Sequence, residues 1–364
     1  MSNPSINEGT STLRFGIRTP RQLSEHCAAV TATEYMIEGI MPKRSLSLVI
    51  GDSGLGKSPL MYQAATAVAA GVPFLGHSTR RGRVLYLDCE NGIEQVDGIV
   101  GQVAKYLNVQ PPEENLLLWN LNDGESVSLE ELIKETAPNW VIIDPLKAFF
   151  QSIEADNKDV TKAYANLRKL MQSYSCSISG IHHVKKPSQG YGDARPSLEG
   201  PDWREWFYQA RGPRELINGC DVRLGVAQGN GGDNRLVTRG FRRVIGEVPL
   251  TRLVRVVDDE GEPQGFRQIA GIELLGNPEQ RAAYERLPEQ FRFKEAIAAY
   301  GKSDQPTADF LGNCITAGIL CKLEGRNGYE KIKVAPEIAA ERLGQHAGGI
   351  GATPREGHNL MTIH

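Results

Sequence analysis

The sequence predicts an α/β fold: a mostly parallel sheet flanked by helices, followed by a small C-terminal module of helices ending in a hairpin. Three observations carry that expectation. Strand-length apolar runs alternate with amphipathic stretches from Leu46 to about Val226. One of these runs leads straight into a glycine-rich turn that opens a helix. Beyond Gly276-Asn277-Pro278 the pattern changes to short helices and two β-like runs. Alternation of this kind argues for right-handed βαβ units around a parallel sheet.

The elements follow in order. Residues 1–30 are a polar extension carrying a short helical piece, Thr19 to Val30. Leu46-Ser47-Leu48-Val49-Ile50 is a buried strand, and Leu60 to Ala70 the helix after it. Val84 to Asp88 is a strand, Ile93 to Leu107 a helix, and Leu116 to Trp119 a strand. A helix around Ser128 to Thr136, a strand from Trp140 to Asp144, a long helix from about Asp159 to Gln172 and a strand from Ser177 to His182 close the series. Val222 to Ala227, Arg235 to Phe241, Leu253 to Val257 and Phe266 to Gly271 have no long helices between them, so they read as antiparallel additions to one sheet edge. The expected core domain is 31–276, the module 277–340 and the tail 341–364. In the module, Glu279 to Leu287, Phe293 to Tyr300 and Thr307 to Gly318 are helical, and 319–334 reads as a hairpin. Helices followed by a hairpin describe a winged helix. Trp203, Trp206, Phe207 and Tyr208 are expected to pack a helix against the core.

Gly51-Asp52-Ser53-Gly54-Leu55-Gly56-Lys57-Ser58 fits G-x-x-x-x-G-K-[ST] in full, between a strand and a helix. Glycines let the backbone wrap close to phosphates, so that N–H groups and a helix N-terminus point at negative charge. Lys57 would reach the β- and γ-phosphates, and the Ser58 hydroxyl would join the shell of a magnesium ion. Pro59 falls in the first helical turn, where its missing N–H costs little. Residues Gly51 to Pro59 are therefore the expected binding loop for a nucleoside triphosphate. Asn139-Trp140-Val141-Ile142-Ile143-Asp144 is an apolar strand ending in an acid, and Asp144 would hold the magnesium directly or through water.

Together with Leu85-Tyr86-Leu87-Asp88-Cys89-Glu90-Asn91, Ile142-Ile143-Asp144-Pro145-Leu146, Ile181-His182-His183 and Ala210-Arg211-Gly212, this loop resembles the RepA-like AAA ATPases. These are RecA-fold proteins related to the RepA and DnaB ring helicases of plasmids, phages and integrated elements. The resemblance covers roughly residues 30–245. It implies a RecA-like P-loop core that hydrolyses ATP with Mg2+ as a homo-oligomer, in some relatives a hexameric ring, and acts on DNA. Glu90 would be the general base that activates water, with Asp88 the competing choice. His182 or His183 would sense the γ-phosphate, His183 being the assigned residue. Ring ATPases complete their sites with an arginine from a neighbour. Arg211, Arg239, Arg242 and Arg243 are candidates here, with Arg242 assigned. The chain departs from the family at Pro213-Arg214, where small serines are usual, and at Asp221, where RepA carries arginine.

Single-stranded DNA would lie against the loop after His183. There Lys185 and Lys186, and Arg195 beyond them, would pair with phosphates and Tyr191 would stack on a base. Lys322, Arg326, Lys331 and Lys333 around the C-terminal hairpin would suit duplex DNA. Two other readings stay open at this point: an ATP-switched DNA-binding regulator or loader with slow hydrolysis and no unwinding, and a P-loop kinase of small molecules.

Composition narrows the classes. The chain has 364 residues, 40% of them apolar, and a net charge of −3, so any nucleic-acid contact must be a local basic patch. No apolar run approaches the ~20 residues needed to span a bilayer. Met1-Ser2-Asn3-Pro4 does not open a secretory signal. The six cysteines are scattered without C-x-x-C spacing, which points to a reduced, cytoplasmic protein without zinc.

Overall fold

The computed structural model describes residues 19–22, 24, 33–121, 127–185, 196–229, 234–243, 246–323 and 328–332. A small hairpin, β1 (Tyr35–Ile37) and β2 (Met41–Pro42), precedes β3 (Leu46–Gly51) and helix α1 (Lys57–Ala70). There follow β4 (Val84–Asp88), α2 (Ile93–Tyr106), β5 (Leu116–Asn120), α3 (Leu129–Thr136), β6 (Trp140–Asp144), α4 (Asn157–Tyr174) and β7 (Ser177–His183). Beyond three short helical pieces among the described residues come β8 (Val222–Gln228), β9 (Arg235–Arg242), β10 (Gly246–Val257) and β11 (Pro263–Ile269).

These strands build one sheet of nine in the order β11-β10-β9-β8-β3-β7-β6-β4-β5. Strands β3 to β8 pair in parallel, and β9, β10 and β11 are added antiparallel. This corrects one sequence expectation. β8 is not an antiparallel addition but the parallel neighbour of β3, with Ser47 opposite Val222 and Gly51 opposite Val226. Among the described residues the link from β7 to β8 carries helices of no more than four residues each, so helical periodicity gives no sign of a parallel crossover there.

Both faces of the sheet are covered, which is why its central strands are apolar throughout rather than alternating. On one face α1 and α2 close a core around Leu60, Tyr62, Tyr86, Trp140, Ile142 and Phe266. On the other, α3 and α4 close a second core with Ile133, Leu167, Trp203, Trp206 and Phe207. The expected packing of the tryptophan segment thus holds for Trp203, Trp206 and Phe207, while Tyr208 lies exposed. Gly54 and Gly56 take φ of 79° and 97°, the left-handed region that lets the loop after β3 coil before α1 begins.

The C-terminal module has its own small core. Helices α5 (Pro278–Arg286), α6 (Phe293–Tyr300) and α7 (Asp304–Thr316) pack with a three-stranded sheet, in the order β12 (Gln290–Arg292), β14 (Gly328–Lys331), β13 (Leu320–Lys322). Asn277 caps α5 by accepting from the Glu279 N–H, and Pro278 takes the first helical position. The last strand begins at Gly328, earlier than the periodicity suggests, and β12 is a strand that sequence reasoning missed. The expected tail, most of the N-terminal extension, Lys186, Tyr191, Arg195, Arg326 and Lys333 lie outside the described residues.

Candidate active site

The parallel strands deliver the functional side chains to one end of the sheet, because each ends at its C-terminal edge where its loop begins. β3 supplies the loop 51–58, β4 leads to Glu90, β6 ends at Asp144 and β7 ends at His183. β7 lies between β3 and β6, so its last residue falls between the lysine and the acid.

Lys57 is buried, and its Nζ donates to the Asp52 carbonyl at 2.5 Å and lies 3.4 Å from His183 Nδ1. Burial lowers its pKa, while Asp144, Asp52 and Glu90 oppose that shift. An ammonium only donates, so His183 Nδ1 is the acceptor and the ring proton sits on Nε2. That nitrogen faces Glu90 Oε1 at 3.8 Å. Burial and then Lys57 hold His183 below the usual histidine range, so it is neutral at neutral pH. His182, by contrast, is buried, with Nε2 donating to the Arg211 carbonyl at 2.7 Å and Nδ1 without a partner among the described residues. Of the two histidines, His183 is the one that shares a cluster with Lys57 and Glu90.

The two acids at the ends of β4 and β6 are directly opposite in register, Asp88 beside Asp144. They are held very differently. Asp88 accepts from the Glu90 and Asn91 backbone N–H groups at 3.0 and 2.9 Å, from Asn91 Nδ2 at 2.8 Å and from the Tyr62 hydroxyl at 2.8 Å. Its lone pairs are committed to shaping the turn that presents Glu90. Glu90 itself is 55% exposed. Asp144 accepts from the Tyr86 hydroxyl at 2.7 Å, and the Ser58 hydroxyl lies beside it. Burial pushes its pKa up to about 6, against the pull of those two donors and with the help of Asp88 and Glu90.

Ser58 and Asp144 are hard oxygen donors in contact, the ligand type magnesium takes together with phosphate oxygens and water. The donor set therefore fits that ion.

Around the loop, side chains appear that no motif predicted. Arg255 on β10 donates from Nη2 to the Leu55 carbonyl at 3.2 Å, with Phe266 of β11 under its guanidinium at 5.6 Å. A Cβ on Gly56 would meet both of them, at 2.8 and 2.9 Å. Buried Gln63 on α1 donates to the Phe266 carbonyl at 2.9 Å and accepts from its N–H at 2.8 Å, clamping the phosphate-loop helix to the edge strand. Only the sheet order brings residues some 200 positions apart together, so no local signal could have found them.

The remaining expected residues scatter. Arg242 is engaged within its own chain, donating to the Gly39 carbonyl and the Glu247 carbonyl and lying over Tyr35. Arg239 lies over Trp203 at 4.2 Å. Asp221 ties the start of β3, accepting from the Leu46 N–H and from Arg168. Lys185 is exposed, two residues past His183. Lys331 is packed over the Tyr284 ring at 4.7 Å, while Lys322 is exposed.

Loop, helix, opposed acids and strand order define a nucleotide-binding domain of the RecA-like P-loop class. The comparison with known proteins agrees: residues 22–189, slightly less than half of the chain, match the family of AAA domains. Two curated relatives are similar to part of the chain. The DNA repair protein RadA of Halalkalibacterium halodurans is 27% identical over 155 residues, covering 41% of this chain and 29% of that protein. The DNA repair protein RadA of Bacillus subtilis (strain 168) is 25% identical over 155 residues, covering 42% of this chain and 30% of that protein. The chain thus spans less than a third of the length of the curated relatives it matches. Among the described residues no helix is long and apolar enough to cross a membrane.

Proposed function

We propose that this protein hydrolyses ATP and uses the cycle to move on or remodel DNA, as a replication or recombination ATPase working as a homo-oligomer. The observation that carries the reading is the division of labour between Asp144 at the end of β6 and Glu90 in the turn after β4. Buried Asp144 faces Ser58, while exposed Glu90 faces His183. Magnesium, held by Ser58 and Asp144, would supply positive charge where the transferred phosphoryl group gathers negative charge. Lys57 would add a second positive charge on the terminal phosphates. Glu90 Oε1 would take a proton from the attacking water. Neutral His183 offers an N–H beside Glu90 and a lone pair to Lys57, so it would register whether the terminal phosphate holds that lysine. From His183 the chain runs directly to Lys185, which links the site to the segment expected to meet DNA.

DNA as the substrate is supported by the basic residue at that exit and by the two relatives, both DNA repair proteins by name. The arginine completing a neighbour's site is better sought in Arg211 or Arg243, whose guanidinium groups make no hydrogen bond among the described residues, than in Arg242. The test is the steady-state ATPase rate with and without single-stranded DNA at two salt concentrations. Stimulation that fades as salt rises, and a salt slope smaller by about 0.7 in Lys185→Ala, is the expected result. A slow rate indifferent to DNA would instead favour the ATP-switched regulator.

A further inference from the structure

Two tyrosines in the core under the site end on its acids. Tyr62 lies on α1 one turn beyond Ser58, and Tyr86 lies on β4 two residues before Asp88. Their rings are stacked, with centroids 3.9 Å apart and planes 9° from parallel, and both side chains are fully buried. The hydroxyls do not turn to backbone carbonyls. Tyr86, on β4, reaches across to Asp144 Oδ2 on β6, and Tyr62, on α1, reaches Asp88 Oδ2 on β4. Each strand-end acid thus has one buried phenol donating to it.

Phenylalanine would fill the same volume and stack as well, so packing alone does not call for either hydroxyl. Burying a phenol carries a desolvation cost that only a good acceptor offsets, and a carboxylate is the strongest acceptor available. The geometry gives the two hydroxyls different tasks. Tyr86 limits the rotation of Asp144, whose neighbour is Ser58. Tyr62 limits Asp88, which in turn holds the backbone of Glu90 and Asn91. Because Tyr62 belongs to the helix that begins in the phosphate loop, a shift of α1 would reach both carboxylates through the stack.

We propose that Tyr62 and Tyr86 are positioning residues, Tyr86 setting the metal-side carboxylate and Tyr62 the turn that presents the water-side one. This rests on the ATPase reading above. The roles separate in one set of measurements on the full chain: equilibrium binding of a fluorescent ATP analogue across a magnesium titration, steady-state kcat and KM, and thermal melting. In Tyr86→Phe the magnesium concentration for half-maximal analogue binding is expected to rise about tenfold, with binding at saturating magnesium unchanged. In Tyr62→Phe the magnesium requirement is expected to stay put while kcat falls about tenfold at constant KM. Asp88→Asn tests the water-side arm without touching the stack, and should lower kcat with the magnesium requirement unchanged. Melting temperatures report any loss of fold that would imitate these effects. Identical behaviour of the two tyrosine variants, or a magnesium shift in Asp88→Asn, would overturn the assignment. A parent chain that fails to bind the analogue sinks the ATPase reading as well, whereas a parent that binds beside unaffected variants removes only the tyrosine roles.

Discussion

The nucleotide end of the large sheet and the C-terminal module are built on opposite principles. At the sheet end, charged and polar side chains are buried: Lys57, Asp88, Asp144 and His182 are nearly inaccessible. The module core is apolar, with Leu275, Leu287, Phe291, Phe310, Leu311, Ile319 and Leu320, and buried Thr307 is satisfied within its own helix turn by the Ser303 carbonyl. Burying charge costs stability and an apolar core supplies it. The difference therefore marks where the molecule gives up stability for chemistry and where it only holds a shape.

That contrast can be broken or sharpened by substitution. The largest effect is expected at Glu90: Glu90→Gln should lower kcat by roughly 10² to 10⁴ while leaving ATP binding intact, as measured by turnover beside equilibrium binding. Retained turnover would hand the base role to another group. In the module, Phe310→Ala should cost about 3–5 kcal/mol of local stability, seen as a separate early melting step, with basal ATPase unchanged. A matching loss of basal turnover would mean that the two regions are not energetically separate.

Asp144 tests the same idea from the side of stability. Its raised pKa means that the native protein keeps a proton the unfolded chain releases near pH 4. Without metal, stability should therefore fall as pH rises from about 4 through about 6 and stay reduced above that. Asp144→Asn should recover about 1–3 kcal/mol at pH 7.5 in chelator, while losing magnesium-dependent turnover. An unchanged or lower melting temperature would remove the claim that this acid is held at a cost. The smallest effect is expected for Gln63→Leu, about 2 kcal/mol of stability from leaving the Phe266 N–H and carbonyl unpaired.

Much of this site is legible in the sequence itself. The loop from Gly51 to Ser58 needs glycines and a lysine at fixed spacing, and Asp144 and His183 stand at the ends of unmistakable apolar strands. What is not legible depends on strand order. Asp88 and Glu90 are near neighbours on one strand and turn, equivalent as acids in sequence. Only the four donors around Asp88 show that it shapes the turn while Glu90 stays open. The stacked tyrosines, Gln63 and Arg255 belong to the same class, since each meets its partner through a sheet whose neighbours are distant in the chain. The parallel pairing of β8 is hidden for a related reason: the described residues before it carry only short helical pieces.

The clamp between α1 and β11 bears on how such a protein can change by exchange of parts. The recognisable family segment stops at residue 189, yet the outer wall of its phosphate-loop helix is Phe266, with Arg255 alongside. A chimera joined just after residue 189 would inherit every motif residue and still seat its first helix against a stranger's strand. Lineages that recombine at that boundary would have to re-fit Gln63 and Gly56 to the new wall, so the segment that looks portable is not the segment that can be transplanted.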